Sequence, residues 1–484
     1  MNIEEYFKPS ENDQRTIIHD NLNISLIFRM DSYKFSHPYA FPEGIKGMTS
    51  YGEARISDKE VVVPFGWTIF SQKYLTQSIT IQDVEAAEQF ALAHFGRPLF
   101  KRHAWEKVVN VYNGKLPLII RALPEGTIAT GKIPLYTVTV LDEDLFWMSA
   151  AFETLIQRGF WYPTTIATNG YNMKQLIKRY FLSTGSDLNA IDYFMNDFGA
   201  RGVSSPEQAE IGGAAHLINF RGSDNIEGVL TANHYYNESM SGNSVYATEH
   251  SVQCSFGAGE ENAKNYLRKQ LSNAVPGSII SIVLDGYDVY REANLLCTEF
   301  KQQIIDSGAK VVFRPDSGDM LEVVPKILKI QEDAFGFEKT STGHKRIKYV
   351  GLIQGDGIDS FMLGTLLDHI TRLGYSADCV VVGSGGGLLQ KVNRDTLKFA
   401  QKASAILMNG EWVGIAKDPI TDQGKKSKEG VLTTVRNSIT GKLASYRLDQ
   451  NDLTKDLVDE MKLVYYNGTL FGNATLAEIR NKIS

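Results

Sequence analysis

From about residue 156 to about residue 399, short apolar runs recur about every 25–40 residues with helical patterns between them. That rhythm constrains the fold more than any other feature of the chain. Serial βα units build a parallel sheet that closes towards a barrel, and parallel strands bring their C-terminal ends to one face. At those ends stand Asp197-Phe198-Gly199-Ala200-Arg201, Arg221-Gly222-Ser223-Asp224, Asp285-Gly286-Tyr287-Asp288, Arg314-Pro315-Asp316-Ser317-Gly318, Gln354-Gly355-Asp356-Gly357 and a glycine loop. Any one of them is ordinary turn composition. Six in series, two of them pairing Arg with Asp, point to a shared site for an anion and a metal.

The glycine loop begins at Val380 and reads VVVGSGGGLLQKVNRD, an apolar run that breaks into glycines and then predicts a helix. Glycines let backbone N–H groups approach an anion closely, and a helix N-terminus adds unpaired donors. Lys391 and Arg394 follow and add charge. With Gly383 and Gly385 as the first two glycines, the third position of a dinucleotide fingerprint falls on Leu388. No Gly-Lys-Ser/Thr follows, so the loop is not a Walker A loop either.

The flanking segments have a different texture. Between Leu26 and Thr154, β-rich runs (LPLIIRALP, LYTVTVL) alternate with one strong helical stretch, IQDVEAAEQFALAHF. Beyond residue 400 the pattern is short strands, a basic loop from Lys417 to Lys428 and a final helix. The expected class is α/β: an irregular parallel (β/α) barrel-like domain over 156–399, and a mixed α+β domain assembled from 26–155 and 400–484. Residues 1–25 read as an N-terminal extension.

Composition narrows the function classes. A formal net charge of −6 argues against a general nucleic-acid surface while leaving room for a basic pocket. No segment approaches the ~18 uninterrupted apolar residues of a membrane span. The start, MNIEEYFKPSENDQRT, lacks the basic and apolar regions of a secretory signal. Three scattered cysteines give neither a disulfide framework nor zinc spacing. The expectation is a cytoplasmic protein.

Strand alternation in SIVLDGYD puts Ser281, Val283 and Asp285 on one face, and in VVFRPDSG it pairs Arg314 with Asp316. Such a pair suits a Mg²⁺-loaded polyphosphate: arginine forks phosphate oxygens, and aspartate takes metal, its waters or sugar hydroxyls. Asp356, between two glycines, is a third acid with close access. His250, in SVYATEHS, is either a structural histidine or a phosphoryl acceptor. Phe198 and Tyr33 are either core residues or platforms for a flat ring.

In order along the chain, DSYK, DFGARGVSS, GSD, SVYATEHS, DGYD, RPDSG, QGDG and GSGGGLLQK closely resemble the motifs of the nicotinamide phosphoribosyltransferases, of the type II phosphoribosyltransferase family. The resemblance runs from about Leu26 to the C-terminal helix. It implies a homodimer that converts nicotinamide and phosphoribosyl pyrophosphate to nicotinamide mononucleotide and pyrophosphate with Mg²⁺. It also implies coupling to ATP hydrolysis through a phosphohistidine at His250. Phe198 would sandwich the pyridine ring with Tyr33 of the DSYK motif, which Asp31 opens, contributed by the second subunit. Arg201 would touch the carboxamide side of the ring and the phosphoribosyl group, and Asp224 and Ser281 would address the amide. Asp285, Arg314 and Asp316 would hold ribose, pyrophosphate and Mg²⁺, the two acids directly or through water or substrate. Gly355, Asp356, Gly385 and Gly386 would line the 5′-phosphate site. Arg55, Arg394, Lys402, Lys417 and Lys425 of the other subunit would neutralise phosphates.

Four positions depart from the vertebrate form of these motifs: Ala200 where tyrosine is common, Asn196 where histidine can occur, and Tyr246 and Thr248 where proline and alanine are frequent. None removes a charged catalytic group. A nicotinate phosphoribosyltransferase is the closest rival, and Asp224 discriminates, because a carboxylate accepts from an amide N–H but repels a substrate carboxylate.

Overall fold

The computed structural model describes residues 22–421, 426–450, 452–472 and 474–484, so most of the expected N-terminal extension and Lys425 lie outside the described residues. The middle of the chain forms one sheet of seven strands: Met195–Asp197, Gly222–Ser223, Tyr246–Ala247, Ile279–Val283, Lys310–Arg314, Val350–Gln354 and Val380–Ser384. Across the sheet, Gly222–Ser223 leads to Met195–Asp197, Val380–Ser384, Val350–Gln354, Lys310–Arg314, Ile279–Val283 and finally Tyr246–Ala247. Every pairing is parallel. Tyr246 pairs with Ile280 at one edge, while Asn243, three residues earlier, bridges to Gly222 at the other. One short segment thus reaches both edges, and the sheet curls round on itself.

Val350–Gln354 is buried along its whole length, as a parallel strand covered on both faces requires. The helices Val289–Cys297, Met320–Phe335 and Ser360–Arg372 are N-capped by Asp288, Asp319 and Asp359, whose side chains accept backbone N–H bonds. Asp288 is therefore a cap, the turn-chemistry alternative for one of the acids at the strand ends.

The second sheet also has seven strands and is antiparallel. Phe399–Met408 lies between Glu411–Gly414 and Ile45–Ala54, and Lys462–Tyr466 lies beside Ile119–Ala122. Strands from both ends of the chain interleave. The helix expected from IQDVEAAEQFALAHF spans Ile81–Phe95, opened by a Thr80–Asp83 capping box and closed by Gly96 in the left-handed region.

Each sheet has its own apolar core, and the 32-residue helix Glu153–Thr184 serves both. Its Leu155, Ile156 and Phe160 pack with the antiparallel layer, and its Ile166, Met173, Ile177 and Phe181 with the barrel. The boundary placed at 155/156 falls in the first turn of this shared helix. The last helix, Leu476–Ile483, grouped above with the mixed domain, buries Leu476, Ile479 and Ile483 in the barrel core. Its Arg480 donates to the carbonyls of Leu217 and Ser241, which fixes it there.

Candidate active site

All seven parallel strands end at one rim, and the rim collects most of the expected barrel residues. A cavity of about 510 Å³ is lined by Phe198, Arg201, Arg314, Asp316, Asp356, Lys391 and the glycines 355, 385 and 386. A neighbouring one of about 340 Å³ shares Phe198, Arg201 and Arg314 and adds Asp224, Thr248 and Glu249. The two share a wall of one ring and two guanidinium groups.

Arg314 organises that wall. It donates from Nη2 to Asp316 Oδ2 at 3.2 Å and from Nη1 to the Thr248 carbonyl at 3.3 Å. Its buried Nε finds no partner among the described residues. The guanidinium carbon stands 5.8 Å from the Phe198 ring centroid. The predicted Arg314–Asp316 pairing is present, although the strand stops at Arg314 and Pro315 intervenes. For Ser281, Val283 and Asp285 the alternation argument does not extend so far. That strand ends at Val283, and Val283 and Leu284 are both fully buried in the core. Ser281 is buried in the strand and lines neither cavity.

Two glycines are required by close approach. A Cβ on Gly383 would stand 2.0 Å from the Phe198 ring, and one on Gly355 would stand 2.8 Å from Asp316 Oδ1. The ring lies on bare backbone. Ser384 Oγ donates to the Ile358 carbonyl at 2.6 Å, tying the glycine loop to the Gly355–Gly357 loop. The helix expected after the glycine loop is only the single turn Gly386–Leu389, because consecutive glycines propagate a helix poorly. Lys391 and Arg394 are exposed beyond it, Arg394 pairing with Asp395 at 3.0 Å.

Behind the rim lie Asp197, the first residue of the DFGARGVSS motif, to which motif reading gave no role of its own, and His216, which it did not name. Asp197 is fully buried, accepting from the Gly199 N–H at 2.7 Å and from Asn225 Nδ2 at 3.0 Å. It thus sets the turns that carry both Phe198 and Asp224. Burial pushes its carboxyl up and pushes the nearby His216 imidazole down. Asp224 itself is exposed and accepts a hydrogen bond from Ser244. His250 opens a short helix, half-exposed, with Nε2 at 3.0 Å from Oδ1 of the buried Asp285 side chain. Asp285 and Asp316 are thus each already engaged by a cationic or imidazole partner. Among the described residues no cluster of three or more His, Cys, Asp or Glu could hold a metal ion. This donor set suits Mg²⁺ held largely by substrate oxygens and water, with one or two carboxylates at its edge.

The expected cations gather elsewhere. Lys402 pairs in register with Tyr51, and Arg55 follows the same strand. Arg55 Nε contacts Glu53 Oε1 at 3.0 Å, and Lys428 bonds both Glu53 and, through its N–H, the Tyr51 hydroxyl. The Lys417 N–H donates to Ser427 Oγ at 2.8 Å, and the Lys417 carbonyl accepts from the Ser427 N–H at 2.9 Å. Arg394 accepts from Phe399 N–H at the start of the same strand as Lys402. Arg55, Lys402, Lys417 and Arg394 are thus all attached to the antiparallel layer; Arg55 pairs with the buried Glu53, and Lys402 Nζ stands 3.6 Å from Glu153 Oε1. Tyr33, exposed at 55%, and Asp31, bonded to Thr154, also line neither rim cavity.

A family model described as "Nicotinate phosphoribosyltransferase (NAPRTase) family" matches residues 193–468, and one described as "Nicotinamide phosphoribosyltransferase, N-terminal domain" matches 25–120. A nicotinamide phosphoribosyltransferase of Xanthomonas campestris pv. campestris is 39% identical over 459 residues, covering 94% of this chain and 97% of its own. One from Acinetobacter baylyi is 30% identical, covering 96% and 98%. Among solved structures, nicotinate-nucleotide pyrophosphorylase from Pyrococcus furiosus aligns over 96% of this chain and 97% of its own, with a TM-score of 0.59 at 15% identity. Human nicotinic acid phosphoribosyltransferase aligns over 94% and 92%, with a TM-score of 0.55 at 16% identity. These two likenesses concern the fold. No helix among the described residues is long and apolar enough to cross a membrane.

Proposed function

The chain belongs to the nicotinate phosphoribosyltransferase family, among its nicotinamide phosphoribosyltransferases, and from that premise we propose that it makes nicotinamide mononucleotide at the barrel rim, coupled to ATP. The observation that carries the site is the shared wall of Phe198, Arg201 and Arg314, with Asp316 and two glycine loops on one side and Asp224 on the other. The larger cavity takes the phosphoribosyl group: Gly355, Gly385 and Gly386, which line it, serve the 5′-phosphate through their backbone, and the Arg314 guanidinium on its wall is the cation for pyrophosphate. The smaller takes nicotinamide, its ring on Phe198 and its amide on Asp224. The ring nitrogen attacks C1 as the C1–pyrophosphate bond breaks. The protein's part is to hold the two in line and to stabilise departing charge. Asp285 and Asp316 would hold Mg²⁺, directly or through water or substrate, and it would supply charge neutralisation on the pyrophosphate.

His250 is the proposed phosphoryl acceptor. With Nε2–H directed at Asp285, the lone pair lies on Nδ1, where an N–P bond forms as the bond to the ADP leaving oxygen breaks. The cations of the antiparallel layer are proposed to serve the second subunit of a homodimer, whose Tyr33 covers the ring. The experiment is a product assay offering nicotinamide and nicotinate separately, each with and without ATP. Mononucleotide formed from nicotinamide, faster with ATP and with ADP released, is the expected result. Preference for nicotinate would replace the base assignment, and indifference to ATP would remove the phosphohistidine.

A further inference from the structure

We propose that Gln253 and Glu292 are a buried positioning pair that sets the geometry between His250 and Asp285; the inference rests on the reading of His250 as phosphoryl acceptor. The pair joins the three elements that meet at that contact. Gln253 lies on the same short helix as His250, Gly286 directly follows Asp285, and Glu292 lies on the next helix, Val289–Cys297. The Gly286 N–H donates to Gln253 Oε1 at 2.8 Å, and Gln253 Nε2 donates to Glu292 Oε2 at 2.6 Å. Gln253 and Glu292 are both almost fully buried, 2% and 1% exposed, whereas His250 is half-exposed.

An exposed imidazole has many rotamers available, so the geometry of its one contact is fixed from the other side, by where Asp285 is held. Asp285 lies in the loop after the strand rather than in the strand, and its neighbour's N–H is pinned by Gln253. Gln253 in turn has a fixed amide orientation, because one end accepts from Gly286 and the other donates to the carboxylate of Glu292. The fit is tight: a Cβ on Gly286 would stand 2.4 Å from Gln253 Oε1. A buried carboxylate is also an expensive way to fill a helix interior, and an alanine or leucine would pack there without it. Burial pushes Glu292 up to about 7 against the opposing hydrogen bond from Gln253 and the charge of Arg291. The charges of Asp288 and Asp285 push the same way as burial.

The test compares Glu292→Ala, Gly286→Ala and Glu292→Gln with wild type in the full-length protein. Two readouts are used: carbethoxylation of His250 by diethylpyrocarbonate at fixed pH, followed by peptide mass spectrometry, and phosphoenzyme formed from γ-labelled ATP. Loosening Asp285 frees the imidazole. Both Ala variants should therefore raise His250 carbethoxylation severalfold and lower the phosphorylation rate by about tenfold or more. Glu292→Gln keeps an acceptor for Gln253 and should stay within about twofold of wild type on both. KM for nicotinamide should be unchanged, since Phe198 and Asp224 follow other strands. Should Glu292→Ala fail to fold, Gly286→Ala perturbs the same contact from the loop side. Unchanged His250 reactivity in the folded Ala variants would overturn the proposal. A wild type that takes no label, with reactivity still shifting in the variants, would instead remove the phosphoryl role of His250 and leave the positioning pair standing.

Discussion

The two sheets have the same number of strands and put them to opposite uses. In the parallel sheet all strands point one way, so every strand ends at the same rim. Residues as distant in sequence as Phe198, Arg314 and Gly385 then line one cavity. In the antiparallel sheet neighbours alternate in direction, and no rim collects their ends. Its functional candidates are instead spread sideways over adjacent strands and a loop: Arg55 beside Glu53, Lys402 in register with Tyr51, and Lys417 bonded to Ser427. Strand direction decides whether a site is assembled at an edge or across a face. The barrel end supplies acids and a ring platform; the antiparallel layer supplies cations that line neither rim cavity of the same chain.

The sharpest way to break this comparison is complementation. If the cations serve the partner's rim, Asp285→Ala and Lys417→Ala should each be inactive alone and should rescue each other when co-expressed. A mixed dimer gathers both lesions in one site and none in the other, so random mixing restores roughly a quarter of wild-type sites. Verified mixed dimers with no activity above either parent would place rim and cations in one chain's own site.

A smaller effect is expected within the rim. Asp224→Ser removes a charged acceptor for the amide and a repulsive charge against nicotinate together. Discrimination between the two bases should narrow by roughly 2–4 kcal/mol, read as the ratio of kcat/KM values. An unchanged ratio would move base selection to another residue. Ser244, which donates to Asp224, is the first to examine.

Much of the rim was legible in sequence because each strand-to-loop junction is local. RPDSG, QGDG and GSGGGLLQK each carry their own chemistry in a few consecutive residues. What was not legible is contact between junctions. Nothing in the sequence says that the Phe198 ring rests on Gly383, that Glu53 anchors Lys428, or that Gln253 joins Gly286 to Glu292. Local patterns also misled where an element ended early. Alternation could not be carried past Val283 to Asp285, whereas the helix read after the glycine loop is present as the single turn Gly386–Leu389. Asp288 looked like a site acid because capping and catalysis favour the same residue type at the same place.

The third test asks whether the barrel end gives up stability for its chemistry. Glu292 is raised from 4.5 to about 7, chiefly by burial, so the folded protein binds more protons than the unfolded chain between those values. Stability should therefore fall as pH rises from about 4.5 to 7 and level off above, by an order of 1–3 kcal/mol from this group. Other groups titrate in that window, so the measurement is a difference. Denaturant unfolding of wild type and Glu292→Gln at pH 5 and pH 7.5 should show the wild type losing more. Parallel curves would mean that Glu292 is not proton-loaded in the fold.

The smallest expected effect belongs to the antiparallel layer and serves as the control for the rest. Thr80 caps the Ile81–Phe95 helix: its hydroxyl accepts from Asp83 N–H at 3.2 Å, and Asp83 accepts from Thr80 N–H at 2.8 Å. Neither residue lines a rim cavity. Thr80→Ala leaves the Asp83 N–H without its side-chain acceptor, which costs about 1 kcal/mol. The site is exposed, so water partly replaces the lost bonds and the penalty stays small. Tm should drop by a few degrees, and kcat/KM for nicotinamide should be unchanged at a temperature well below it. That outcome would show that destabilising this layer does not by itself disturb the rim, so the losses expected from Lys417→Ala would reflect charge at the site. A fall in kcat/KM with Thr80→Ala would mean instead that the two layers are mechanically coupled, through the helix Glu153–Thr184 that both cores share.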